Sequence, residues 1–354
     1  MSGESEIMAS LRLPETTSWQ TIKRSGLPVV LYGMGNGADR ILDELYRLGI
    51  PVAGVTASDD FVRGQIFRGF EVKKLGEFSG DFILCLAFGS GRPEVIEHIT
   101  DLGKRYRLVA PSVPVCGDEI FNMDFAFKNY DSLNEAYSLF SGESARVYEM
   151  CVNFLLTGDL NVLFAATSPA SEKFSVLNLS ENEVYADIGA YNGDTVREFL
   201  NAVNGKYSRI IAVEPNPKSY LKLCASCASL ENFVAYNAAV SSDRGKIVSF
   251  GGRGRGASVG GSGSEAECVS LDDLLKDEEV TYLKADVEGE EIPMLTGAAK
   301  TLSEKKPKLN IALYHKSRDI FEIPLLVKKL NPDYKLEIRR HPHVPCWDMN
   351  LYAL

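Results

Sequence analysis

The chain has 354 residues, of which 45% are hydrophobic and 24% charged. These are ordinary globular values, which exclude a disordered or fibrous chain, and the length suits about two domains at ~150 residues each. A balance of 38 basic against 48 acidic side chains, a net charge of −10, argues against nucleic acid as the main partner. Apolar runs such as 82–88 fall far short of the ~20 residues that a bilayer span needs. The first twenty residues carry Glu4, Glu6 and Glu15, rather than the basic start and apolar core of a secretory signal. With seven scattered cysteines, an odd number, these features predict a cytoplasmic protein.

In chain order, residues 1–26 read as a tail, and 27–32 as a first strand. Gly33-Met34-Gly35-Asn36-Gly37-Ala38 follows at once and opens a helical pattern that runs to Leu48. Strands are predicted over 52–56, 81–88 and 107–110, with a helix over 93–103. Alternation of this kind makes a parallel sheet with helices on its faces, so 27–128 is expected to be a small Rossmann-like domain. From 131 to 166 the apolar residues recur at helical spacing, interrupted by Gly142 and Gly158, and 129–182 is read as a helical bridge.

The segment 183–354 repeats the plan at greater length. A strand over 183–188 leads into Gly189-Ala190-Tyr191-Asn192-Gly193-Asp194-Thr195 and a helix. Strands are expected over 209–213, 233–240, 280–285, 309–314, 334–338 and 349–353. A hairpin-like insertion lies over 242–270, and its glycine-rich middle contains Arg253 and Arg255, which read equally as a clamp on an acceptor's phosphate or carboxylate and as part of a mobile solvated loop. His341, His343 and Cys346 could suggest a metal site, but Pro342 and Pro345 break any helical face, and the segment is read as a surface loop.

In an open α/β sheet, ligands bind outside the carboxyl ends of the strands. Gly189 and Gly193 allow close backbone approach there, and Asp194 with Thr195 are expected to cap the following helix. Glu214, at the end of the next strand, suits a carboxylate that accepts both hydroxyls of a ribose. A pyrophosphate would be repelled by Asp194 at the helix N-terminus. This acidic loop favours a ligand with a cationic or amino-bearing end, a description that S-adenosylmethionine meets.

The runs Asp187 to Thr195, Glu214-Pro215-Asn216, Leu271-Asp272-Asp273-Leu274, Tyr282 to Glu291 and Leu313-Tyr314-His315-Lys316 occur in the order seen in one family. Together they resemble the FkbM family of S-adenosylmethionine-dependent O-methyltransferases, over about 185–354. The resemblance implies a class I methyltransferase fold, with a seven-stranded sheet whose last strand is antiparallel. It implies methyl transfer to a hydroxyl of a sugar, glycan precursor or natural product. It also places Asp187, Gly189, Ala190, Gly193, Asp194 and Thr195 around the methionine part of the cofactor, Glu214 on the ribose and Asn237 by the adenine. Asp286, Glu288 and His315 then face the transferring methyl.

His315 is the preferred general base, since its ordinary pKa of ~6.5 lies near cytoplasmic pH, with Asp286 the rival and Lys284 tuning either. No metal is assigned, although Asp286, Glu288 and His315 leave a divalent cation open as a less favoured alternative. The region 27–110 resembles the Rossmann-type N-terminal domain of some sugar acetyltransferases. Where those carry an aspartate pair, this chain has Ala57-Ser58. That favours docking, homodimerisation or acceptor positioning over nucleotide binding. The rival readings are an NAD(P)-dependent oxidoreductase or nucleotide-sugar-binding protein using Gly33 to Ala38, and a non-catalytic binding module.

Overall fold

The computed structural model describes residues 10–243, 245, 247–251, 258–259 and 264–354. Arg253 and Arg255 lie outside them. The chain divides into two compact units. The first comprises the described residues up to Pro114, with Asp118–Ser168 and Arg340–Asp348; the second comprises Val115–Gly117, Pro169–Arg339 and Met349–Leu354.

The first unit holds strands β1 (Val29–Tyr32), β2 (Val52–Thr56), β3 (Ile66–Phe67), β4 (Phe70–Lys73), β5 (Ile83–Leu86) and β6 (Arg107–Val109), in the order β3-β4-β2-β1-β5-β6. Every residue of β1 and β5 is buried, as their unbroken apolar runs require of strands covered on both faces. Pairing is parallel except between β3 and β4. Those two form an additional hairpin, turned by Arg68 and Gly69 at φ of 49° and 88°. A two-residue turn of this hand needs positive φ at both central positions, and Arg-Gly is a weaker signal for it than Asn-Gly.

Helices Met123–Lys128, Tyr130–Ser138, Gly142–Thr157 and Leu160–Ala165 belong to this unit. Gly142 opens the longest of them, and Gly158 closes it at φ 60°. A Cβ on Gly158 would stand 2.7 Å from the Ala110 carbonyl oxygen. The expectation of a surface loop around 341–346 is corrected. His341, Val344 and Cys346 are 2%, 0% and 3% exposed, because backbone hydrogen bonds in both directions between Ser90 and Val344 draw the segment against the end of β5.

The second unit is built on β7 (Val184–Ile188), β8 (Arg209–Val213), β9 (Phe233–Tyr236), β14 (Tyr282–Ala285), β15 (Lys308–Ala312), β16 (Leu336–Arg340) and β17 (Met349–Ala353). Their order is β16-β17-β15-β14-β7-β8-β9. Pairing from β15 to β9 is parallel, and β17 runs antiparallel to β15. A smaller sheet, β10-β13-β11-β12, takes in β10 (Ala239–Val240), β11 (Ile247–Gly251), β12 (Ser258–Val259) and β13 (Ser264–Val269). Tyr185 and Tyr282 stack side by side on β7 and β14, 4.7 Å between ring centroids, with Phe199 of helix Asp194–Ala202 against Tyr185 at 4.3 Å. That aromatic cluster fixes the helix that opens the candidate site.

Candidate active site

Because β7, β8, β9, β14 and β15 are parallel, their carboxyl ends share one edge of the sheet. Asp187 lies near the end of β7, Glu214 follows β8, Asn237 follows β9, Asp286 follows β14, and Tyr314 and His315 lie just beyond β15. The amides of Gly189 and Ala190 both donate to the Val213 carbonyl, at 2.9 and 3.0 Å, and the Asp286 amide donates to Ile188. Gly189 has φ 83°, and a Cβ there would overlap the Asp286 carbonyl oxygen. The first loop is therefore packed backbone to backbone, as only glycine permits. Gly193 stands at φ 82°, where a Cβ would come within 2.7 Å of Ser226 Oγ.

Asp187 is fully buried and accepts a hydrogen bond from the Thr195 hydroxyl. Its Oδ1 faces the Lys284 ammonium at 3.5 Å. Burial pushes its carboxyl above the usual range, against the pull of Lys284 and Thr195. Burial alone would lower Lys284, but the carboxylates of Asp187, Asp286 and Asp194 outweigh it and raise the ammonium. The expected cap is corrected: Gly193 occupies the N-cap without a side-chain bond, because the Thr195 hydroxyl is committed to Asp187. Asp194 Oδ1 instead accepts the Thr195 amide at 3.0 Å.

Glu214 is 7% exposed and accepts one backbone amide on each oxygen, from Tyr191 and from Asn216, both at 2.9 Å. Burial dominates, and its carboxyl is pushed up to about 7. The Asn237 amide donates to the carbonyls of Glu214 and Pro215 at 2.8 and 3.0 Å, which fixes the turn that carries the glutamate.

The second focus is His315, 1% exposed. Its Nδ1 lies 2.8 Å from Glu291 Oε1, and its Nε2 lies 3.3 Å from Asp286 Oδ1 and 3.6 Å from Glu288 Oε2. Burial favours the neutral ring, but Glu291 and Asp286 overcome it and hold the imidazole pKa well above its ordinary value. Asp286 is held well below the usual carboxylate range, since hydrogen bonding to His315 and the charge of Lys284 exceed the penalty of burial. The Tyr314 hydroxyl donates to Asp286 Oδ2 at 3.0 Å.

The structure sets Asp187, Glu214, Asn237, Asp286 and His315 along one sheet edge, and three further residues, which the sequence reading leaves out of the site, support His315. Glu291 reads as a favourable charge at a helix N-terminus, yet it is fully buried. Positive φ at Glu288 and Gly289, 52° and 95°, turns the chain so sharply that the Glu291 carboxylate reaches the Val287 amide and the His315 ring. Asp319 accepts the Lys316 amide at 2.7 Å, and burial pushes its carboxyl up to about 7. Cys116 donates its amide to the His315 carbonyl and its thiol to the Glu288 carbonyl, at 3.0 and 2.9 Å. No local pattern announces Cys116, which lies almost 200 residues before His315 in the chain. Glu291 was open to inference, as an acid four residues into a tight turn after a strand.

The strand order, the antiparallel β17 and the acidic carboxyl edge define a methyltransferase fold. Residues 187–335 match the protein-family model described as Methyltransferase FkbM domain. The crystal structure of Methyltransferase FkbM from Methylobacillus flagellatus KT superposes with a TM-score of 0.71 at 18% identity, covering 95% of this chain and 92% of that one. Precorrin-6y C5,15-methyltransferase from Geobacter metallireducens GS-15 gives 0.35 at 13% identity, over 52% of this chain and 86% of that one. Aeropyrum pernix fibrillarin with natively bound S-adenosyl-L-methionine gives 0.34 at 14%, over 52% and 74%. No curated protein sequence gives a match. Among the described residues no helix is long and apolar enough to cross a membrane.

Proposed function

We propose that this methyltransferase moves a methyl group from S-adenosylmethionine to a hydroxyl of a sugar, glycan precursor or natural product, in a reducing, cytoplasmic setting. The observation that carries the reading is the line of carboxylates along one sheet edge: Asp187, Glu214 and Asp286, with Asp194 at the mouth of the first loop. Buried carboxylates need donors or positive charge. The two oxygens of Glu214 accept one amide each and keep capacity for two ribose hydroxyls. The acidic loop residues suit an amino group, as a pyrophosphate ligand would not. These residues fit the cofactor, which would supply a methyl group already activated on a sulfonium.

In this reading Asp187, Gly189, Ala190, Gly193, Asp194 and Thr195 surround the methionine part, Glu214 holds the ribose, and Asn237 stands by the adenine. The chain's own work is to orient the acceptor hydroxyl in line and to receive its proton. That proton goes to the linked pair of His315, which lies between carboxylates, and its rival Asp286, which is about one-third exposed. Tyr314 and Lys284 position Asp286 and hold its charge, and Glu288 borders the acceptor. The N-terminal unit serves docking, homodimerisation or acceptor positioning.

Calorimetry tests the reading. Saturable binding of S-adenosylmethionine and S-adenosylhomocysteine is expected, and tight binding of NAD with neither of these would overturn it.

A further inference from the structure

The carboxylates around His315 Nε2 stand further off than close N–H···O partners. A charge-assisted N–H···O bond to a carboxylate closes to ~2.7–2.9 Å. The two approaches to Nε2 are 3.3 and 3.6 Å, from Asp286 Oδ1 and Glu288 Oε2. Those separations instead match the edges, about 3 to 3.5 Å, of a coordination polyhedron with bonds of ~2.1 Å. One ligand atom from each of Asp286, Glu288 and His315 lies within 4.8 Å of the other two.

Independent support comes from behind the ring. Glu291, fully buried, lies 2.8 Å from Nδ1 and would keep a proton there when a cation takes the place of the proton on Nε2, the usual arrangement behind a metal-ligating histidine. Its other oxygen, Oε2, is buried with no hydrogen-bond partner. Asp286, Glu288, Glu291 and Asp319 thus surround a single imidazole. A second group, Glu291, His315 and Asp319, is also close enough, but all three are buried, and it uses the nitrogen already committed to Glu291. Asp286 and Glu288 keep 34% and 30% exposure, which leaves open positions for an incoming oxygen.

We propose that Asp286, Glu288 and His315 Nε2 bind one divalent first-row cation of the manganese or iron(II) type, with Glu291 orienting the imidazole. Two carboxylates and one imidazole suit that class better than the all-sulfur or all-oxygen alternatives. The role given to the cation, holding the acceptor hydroxyl and lowering its pKa, rests on the methyl-transfer reading; its binding does not.

The test is equilibrium dialysis and electron paramagnetic resonance with Mn²⁺ on the chelator-treated full chain, with S-adenosylhomocysteine titrated separately by calorimetry. About one Mn²⁺ per chain is expected. Affinity should fall at least about tenfold in Asp286→Asn and in Glu288→Gln, and about tenfold in Glu291→Gln. Absence of stoichiometric Mn²⁺ binding, or binding unchanged in the first two variants, would overturn the site. Homocysteine-cofactor binding without Mn²⁺ would remove the cation alone. Mn²⁺ binding lost in those variants without S-adenosylhomocysteine binding would uphold the cation and remove the methyl-transfer reading.

Discussion

The molecule contains two strand–glycine–helix turns, and they differ where chemistry would be done. After β1, Gly33 stands at φ 131° with the Ala87 backbone 3.1 Å from where a Cβ would lie. After β7, Gly189 packs on the Asp286 backbone more tightly still. At the end of the neighbouring strand the two diverge. Beyond β8 stands the buried carboxylate of Glu214, whereas beyond β2 the Ser58 hydroxyl is hydrogen-bonded to Tyr32 at 2.8 Å. Glycine turns alone are therefore a device for packing loops. In the proposed reading the ligand is specified by the acids that follow.

Several measurements would break or sharpen this contrast. Asp286→Ala should reduce methyl-transfer turnover by about 10²–10⁴-fold, the range for losing a general base, and transfer that survives it would remove Asp286 from the base assignment. Gly189→Ala should destabilise the fold by about 3 kcal/mol or more, since it combines positive-φ strain with a backbone overlap; denaturant unfolding would measure it. Glu214→Ala should weaken S-adenosylhomocysteine binding by roughly 10–100-fold, the worth of hydrogen bonds to a charged group.

The pH dependence follows from the same glutamate. Its carboxyl lies at about 7 in the free protein, and ribose hydroxyls would bind the ionised form. Affinity should therefore be level above pH 7 and fall as the pH drops below it, by up to about tenfold per unit, because each binding event then releases a proton. Glu214→Gln should abolish that slope in calorimetry. The smallest effect belongs to the first turn: nothing lies within 4 Å of a Cβ on Gly35. Gly35→Ala should shift stability by no more than about 0.5 kcal/mol and leave S-adenosylhomocysteine affinity unchanged.

What was legible in the sequence was whatever repeats locally. The apolar runs of β1, β5, β7 and β8 and the glycine turns that follow β1 and β7 are visible as period and composition, and with them the parallel sheets and the carboxylates placed at strand ends. Partners distant in the chain were not legible. The segment around Val344 looks like a proline-broken loop until it meets Ser90. Cys116 has no motif, and its role exists only because its backbone reaches His315. Glu291 does stand in the first turn of its helix, but its burial depends on two consecutive positive-φ residues rather than on helical periodicity. His315 departs from an ordinary histidine for the same reason: its ring has a carboxylate at each nitrogen.

The position of β17 bears on how the molecule assembles. It is the furthest along the chain of the seven strands, yet it lies between β16 and β15 rather than at an edge. Until residues 349–353 are made, β15 presents an unpaired ladder, the kind of edge on which other chains add. Closure of this sheet is then a late, non-local event, and such pairings fold slowly and stay exposed to misassociation meanwhile. Substitutions that weaken β17, such as Leu351→Asp in its fully buried centre, should therefore lower the yield of soluble chain during synthesis even though they lie outside the candidate site.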